Sequence, residues 1–491
     1  RPGVCFVTRG PGATNASAGV HVAFQDSTPM ILLIGQVGRD MVDREAFQEI
    51  DYRRMFGQMA KWVAQIDDIS RIPEYVSRAW HTALSGRPGP VVLALPEDVL
   101  SEFARVQDVR PAQIGKSAPT DGAMEQVQQM LIRAKAPLLV LGGPDWSSEA
   151  ADMAAQVATH LNLPVATSFR CQDYIDNGHP NYGGVIGIAP LAGLRRKIRE
   201  EVDLLITIGS RLGEMTTQGY SLIDSPTPQM QFVHVHPGPE ELGHVYAPDL
   251  AIPAGPLEFL AQCLALSETG SWSADWVSGF RKDYDAFVQP TQVPGDLNMG
   301  EVIRHFSDRL PQDTIYTNGA GNYSVWLHRF HAHRAYRTQL APTSGSMGYG
   351  VPAAVAAKLH HPDRTVVAMA GDGCFMMTSQ ELATAAQHGA DVIYVVVNNG
   401  MYGTIRMHQE RHHPGKVMAT KLVNPDFVAY AAAFGVAGER VLSTEAFAGA
   451  LERARTANGG YLIEIIVDPE ALTPNQSLSA VRAEGEANMT S

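Results

Sequence analysis

Short, uninterrupted apolar runs punctuate this chain: MILLIG (30–35), GPVVLALP (89–96), PLLVLGG (137–143), DLLITIG (203–209), TVVAMAGDG (365–373), VIYVVVNNG (392–400) and YLIEIIVD (461–468). Each is bounded by glycine, proline or polar residues. Runs of this length and composition predict strands buried on both faces. Between them lie stretches of helical periodicity, at 71–84, 123–134, 148–161, 297–309 and 376–387. Strands alternating with helices predict parallel sheets with helices on both faces. At 491 residues the chain is too long for one hydrophobic core. The expected fold is α/β, three doubly wound parallel-sheet domains over 1–115, 123–265 and 295–470. Residues 100–122 read as a polar linker, 266–290 as a connector rich in Trp and charge, and the tail after Pro474 as frayed. The chain enters its first strand, VCFVT, almost at once, and GPGATN (10–15) then opens a helix. An α/β domain ordinarily places two or three elements earlier, so a segment is expected ahead of Arg1.

Composition narrows the function. Lys and Arg total 38 against 51 Asp and Glu, a net charge of −13. That surplus argues against nonspecific nucleic-acid binding. The apolar runs are too short to span a membrane, and a cytoplasmic setting is the expectation. Cys5, Cys171, Cys263 and Cys374 are scattered, with no CxxC and no disulfide framework. No GxGxxG follows a predicted first strand, and LGGPDW (141–146) is a poor substitute, which disfavours a dinucleotide dehydrogenase.

The candidate chemistry is concentrated at 371–404. A strand leads into Gly371–Asp372–Gly373, a helix follows, and a second strand ends at Asn398–Asn399. Parallel strands bring Asp372 and Asn399 to one sheet edge. There a carboxylate, an amide oxygen and the Met401 carbonyl would suit Mg²⁺, a hard cation often shared with substrate phosphates. Gly371 and Gly373 permit close backbone approach. The N–H groups of Gly373 and Cys374 would face a diphosphate at a helix start. The plainer reading is that Asp372 caps the helix at 376–387 and the asparagines form an ordinary turn. Cys374 reads as a small turn residue rather than a nucleophile.

This span resembles the signature of thiamine-diphosphate (ThDP) enzymes, which runs from GDG to NN. GPGATN and AFQE (46–49) are similar to the acetolactate synthase group, and the resemblance extends from Arg1 to about Pro474. It implies ThDP and Mg²⁺ as cofactors, held by Asn15, Ser346, Met347, Gly371, Gly373, Cys374, Met401, Tyr402, Gly403 and Thr404, with Asp372, Asn399 and Met401 on the metal. Met347 would prop the folded cofactor, while Phe47 and Gln48 would line the substrate side. The plainer reading of Gln48 is an exposed polar loop residue. The resemblance further implies a homodimer or homotetramer with sites between subunits. The family's activating glutamate lies upstream of VCFVT, and Glu45 and Glu49 belong to another element.

Several positions depart from the group. Glu97 replaces its Lys, GIAP (187–190) its Met-His-Gly turn, and Arg211–Leu212–Gly213–Glu214–Met215 its RFDDR. His408 stands at its pocket Trp, and Gly321–Asn322–Tyr323 at its GQH. Three of these changes fall where the group meets FAD or the channel beside it, which leaves FAD possible but disfavoured. Arg406 and His408 would suit an anionic or polar acceptor, and His408 a proton donor; the plainer reading is a surface loop. The implied reaction is decarboxylation of a 2-oxo acid with carboligation to a second carbonyl compound. The alternatives are a simple decarboxylase or aldehyde lyase, and a non-catalytic binding or regulatory protein on the same fold.

Overall fold

The computed structural model describes residues 1–267 and 270–490. The chain folds as two compact units. One comprises residues 1–161 and 199–272, the other 162–198 and 273–491. Four strands open the first unit: β1 (Gly3–Val7), β2 (Met30–Gln36), β3 (Trp62–Gln65) and β4 (Pro90–Pro96), in a parallel sheet of order β1-β2-β4-β3. Six strands follow: β5 (Pro137–Leu141), β6 (Val165–Thr167), β7 (Tyr182–Val185), β8 (Leu204–Ile208), β9 (Gln231–His236) and β10 (Leu250–Pro253). In the first unit β10, β9, β8 and β5 pair in that order, all parallel. In the second unit β6 pairs with β7, also parallel.

The second unit carries a third parallel sheet. Its strands are β11 (Ile315–Asn318), β12 (Gln339–Leu340), β13 (Val366–Gly371), β14 (Ile393–Asn398), β15 (Ala437–Val441) and β16 (Tyr461–Ile466), in the order β12-β11-β13-β14-β16-β15. The predicted double burial is visible residue by residue. Val367 and Met369 enter one apolar cluster with Val395, Val397 and Ile463. Val366, Ala368 and Ala370 enter the opposite cluster with Tyr394, Val396 and Leu462. Alternate side chains thus fill two cores, each fully buried Val, Ile, Leu or Met contributing about 1.5–3 kcal/mol. The helices begin where side chains can accept orphan N–H groups. Ser147 accepts from Ala150, Ser273 from Trp276, and Asn298 from Gly300. Among the described residues no helix is long and apolar enough to cross a membrane.

Three expectations are corrected. The 266–290 connector contains the helix Ala274–Phe287, which buries Val277, Phe280 and Tyr284 at helical spacing. The helix expected at 376–387 is two pieces, Asp372–Phe375 and Glu381–His388, separated by a turn. The tail is not frayed: Leu478–Thr490 is a helix packed on the helix Gly403–His412, with Leu478 and Val481 buried against Met401 and Leu472.

Glu410 latches that tail. Its side chain has no solvent exposure and accepts from both Arg406 and Arg482, at 2.6–2.9 Å, and from the Gly415 N–H. These donors, Arg482 foremost, lower its pKa from 4.5 to about 2. A depressed folded-state pKa contributes stability that is present above 4.5 and lost as pH falls toward about 2. Glu410→Gln is expected to destabilise the protein at pH 7 by about 2 kcal/mol, moderated by the partial exposure of Arg482. Acid titration by circular dichroism should also show a shallower loss of stability between these pH values than in the wild type.

Candidate functional site

Strands β13 and β14 set the geometry of the site. Gly371 is in register with Val397, so Asp372 and Asn399 emerge from the carboxyl ends of neighbouring parallel strands. Ligands bind outside such ends in α/β sheets. A cleft of about 770 Å³ opens there, lined by Met347, Gly371, Asp372, Gly373, Cys374, Asn399, Met401, Tyr402, Gly403 and Thr404, together with Ala320–Tyr323, Gly345, Val397 and Ile405.

Asp372 is only 3% exposed. One carboxylate oxygen accepts from the Gly373 N–H at 2.8 Å. The other accepts from the Gly400 N–H at 2.9 Å and the Asn424 amide at 2.8 Å. An ionised carboxylate offers about four acceptor positions, so this arrangement leaves room for a cation. Burial raises the Asp372 pKa against the lowering effect of these hydrogen bonds. A neighbouring cation would offset that penalty.

The supporting polar chain continues outward. Asn424 also donates to the Asn398 side-chain oxygen at 2.9 Å, Asn398 donates to Glu464 at 2.7 Å, and Arg440 donates to Glu464 at 2.7 Å. The Asn399 side-chain oxygen accepts from the Met401 N–H at 3.2 Å. Among the described residues no group of three or more His, Cys, Asp or Glu gathers into a metal site. The donor set here is one carboxylate, one amide oxygen and a backbone carbonyl, which fits a hard cation that takes its remaining oxygens from phosphate and water. A diphosphate also needs backbone within reach. A Cβ on Gly373 would lie 2.5 Å from the Tyr402 ring, and one on Gly371 2.9 Å from the Tyr323 ring, so only glycine keeps this floor open.

Several expectations change here. The Gly373 N–H, expected to face a diphosphate, is already donated to Asp372. Gly403 and Thr404 lie at the start of a helix. Ser346 does not line the cleft; its hydroxyl meets that of Ser344 at 3.1 Å. His408 lies further along the same helix, exposed and stacked on His412, and is not among the lining residues. Arg406 is engaged by Glu410, which makes it a poor receptor for an anionic acceptor.

The remaining predicted residues belong to the first unit. Gln48 lines a separate hollow of about 1450 Å³ with Gln36, Glu45, Glu49 and Tyr52. It is held at φ 66°, a strained value for a non-glycine residue. Phe47 is 76% exposed, and Asn15 is exposed on the helix Pro11–Gln25. Glu49 accepts the N–H groups of Asp43 and Ala46 and so braces its own loop. Sequence reasoning missed Tyr323 as a contributor to the site and missed Asn424 and Glu464 altogether. Asn424 and Glu464 are single polar residues outside any motif, and Tyr323 was read only as part of the Gly321–Asn322–Tyr323 departure.

Comparison with known proteins agrees with this geometry. The chain matches the thiamine pyrophosphate enzyme family in three parts: the N-terminal TPP binding domain at residues 1–55, the central domain at 124–263 and the C-terminal TPP binding domain at 319–465. It is 33% identical to the acetolactate synthase large subunit of Corynebacterium glutamicum, covering 96% of this chain and 77% of that protein. It is 30% identical to the probable acetolactate synthase large subunit of Methanocaldococcus jannaschii, covering 96% and 82%. Identity to the isozyme 2 large subunit of Escherichia coli is 27%, covering 95% and 84%. With three such domains in order and this similarity along nearly its whole length, the chain belongs to the thiamine-diphosphate enzymes of the acetolactate synthase-like family.

Proposed function

We propose that this protein decarboxylates a 2-oxo acid and joins the remaining fragment to a second carbonyl compound, with ThDP held through Mg²⁺ in the cleft at the ends of β13 and β14. The observation that carries this reading is the convergence of Met347, Gly371, Asp372, Asn399 and Tyr402 on one cavity. Bound ThDP supplies the electron sink that accepts the pair released when CO₂ departs. The protein's part is to grip, orient and desolvate. Asp372, the Asn399 amide and the Met401 carbonyl offer oxygens to Mg²⁺, while Gly371 and Gly373 let the diphosphate approach the backbone. Tyr402, Gly403 and Thr404 wall the diphosphate end, and partly buried Met347 supports the cofactor's centre from the apolar cluster behind it. In this reading Phe47 and Gln48 reach the substrate from a second copy of the chain, in a homodimer or homotetramer. The large exposure of Phe47 supports such a role.

A simple decarboxylase is the second reading. An assay of the protein with ThDP, Mg²⁺ and pyruvate tests both. Acetolactate as product supports carboligation on this substrate. Acetaldehyde alone supports decarboxylation, and no CO₂ from ThDP-loaded protein contradicts pyruvate as donor.

A further inference from the structure

Three glycine turns border the cleft. The first is at Gly319–Gly321, the second at Gly348 beside Met347, and the third at Gly371–Gly373. Distant in sequence, they meet at two side chains. The Tyr323 hydroxyl accepts the Gly319 N–H at 2.9 Å and lies 3.2 Å from the Cys374 sulfur. That sulfur accepts the Gly348 N–H at 3.1 Å. Tyr323 is 8% exposed and Cys374 2%. Packing reinforces the knot: a Cβ on Gly319 would lie 2.7 Å from the Cys374 sulfur, and one on Gly371 2.9 Å from the Tyr323 ring. Burial raises the Tyr323 pKa well above its ordinary value, which keeps the phenol protonated and able to donate.

We infer that Tyr323 and Cys374 are positioning residues that lock the three turns in their ligand-ready arrangement before the cofactor arrives. The inference rests on the ThDP reading above and deepens it. Neither side chain need touch the cofactor to act. Without the lock the turns sample other conformations, and a ligand must first select the competent one, so its apparent affinity falls by that fraction. Removing one buried partner also strands a backbone N–H, which favours such rearrangement.

The test is a ThDP titration of the full-length protein in Mg²⁺, followed by intrinsic fluorescence. Melting temperatures of the ligand-free proteins are recorded alongside. Tyr323→Phe, which keeps the ring, and Cys374→Ala are each expected to weaken ThDP binding about five- to tenfold. Cys374→Ser, whose hydroxyl can take over both hydrogen bonds, is expected to stay within about twofold. The double variant Tyr323→Phe/Cys374→Ala should bind about as weakly as either single variant, because the two groups act as one unit. Wild-type affinity in Tyr323→Phe and Cys374→Ala would overturn the inference, even if their melting temperatures fall, since that pattern marks a role in stability alone. Strictly additive losses would overturn it as well. A wild-type protein that fails to bind ThDP would remove the cofactor reading and the inference together, an outcome distinct from selective loss in the variants.

Discussion

Asp372→Asn is expected to weaken Mg²⁺-dependent ThDP binding more than about 100-fold while leaving the ligand-free protein folded. The substitution preserves shape but removes the charge that a hard cation requires. Its effect on stability has two opposing parts. One amide oxygen cannot satisfy all three donors now held by the carboxylate, from Gly373, Gly400 and Asn424. A buried charge is nonetheless relieved. Because burial raises the Asp372 pKa above 3.8, its contribution to folding is fully present below that value and is lost as pH rises through the folded-state pKa. At neutral pH the ligand-free wild type therefore holds an ionised, desolvated carboxylate at some expense. The variant should accordingly melt within about 1 kcal/mol of wild type without ligand. It should also lose the rise in melting temperature that ThDP and Mg²⁺ give the wild type. Retention of that rise would remove Asp372 from the metal site.

The second large effect is expected at Met347, and it should fall on turnover rather than affinity. The side chain is partly buried, packs on the cluster containing Val367 and Met369, and lines the cleft. An apolar prop supports aromatic rings without competing for their hydrogen bonds, and a thioether adapts to their outline. Met347→Ala leaves the diphosphate grip intact but lets the reacting end drift. Misplacement of about 1 Å can slow a reaction about 100-fold. The predicted result is a fall of that order in kcat with ThDP affinity within about tenfold of wild type. Met347→Leu, which conserves volume, should keep most of the activity. An unchanged kcat in Met347→Ala would show that the prop lies elsewhere.

The site was legible in sequence wherever local pattern dictates position. Apolar runs ending in Gly371–Asp372 and Asn398–Asn399 place those residues at one sheet edge because parallel register leaves little choice, and Gly371 indeed pairs with Val397. Tyr323, Asn424 and Glu464 were not legible as a supporting shell. Their partners lie 51, 52 and 66 positions away, at Cys374, Asp372 and Asn398, and no periodicity reports such contacts. The same distinction runs through the fold. The helix Ala274–Phe287 carried its signal at Val277, Phe280 and Tyr284 beneath a charged surface. The last helix had little apolar signal, and a long-range ion pair to Glu410 helps hold it. The edge strand Ala437–Val441, AGERV, is buried only at Val441 and lacks the apolar run that marks its neighbours. His408 stood at a suggestive position, but its helix presents it to solvent.

The most direct test of the account is a calorimetric titration of ThDP into the full-length protein, with Mg²⁺ and then with the metal chelated. The account predicts saturable binding in Mg²⁺ that is lost on chelation and in Asp372→Asn. Absence of binding in Mg²⁺, or binding indifferent to both the metal and Asp372, would contradict it.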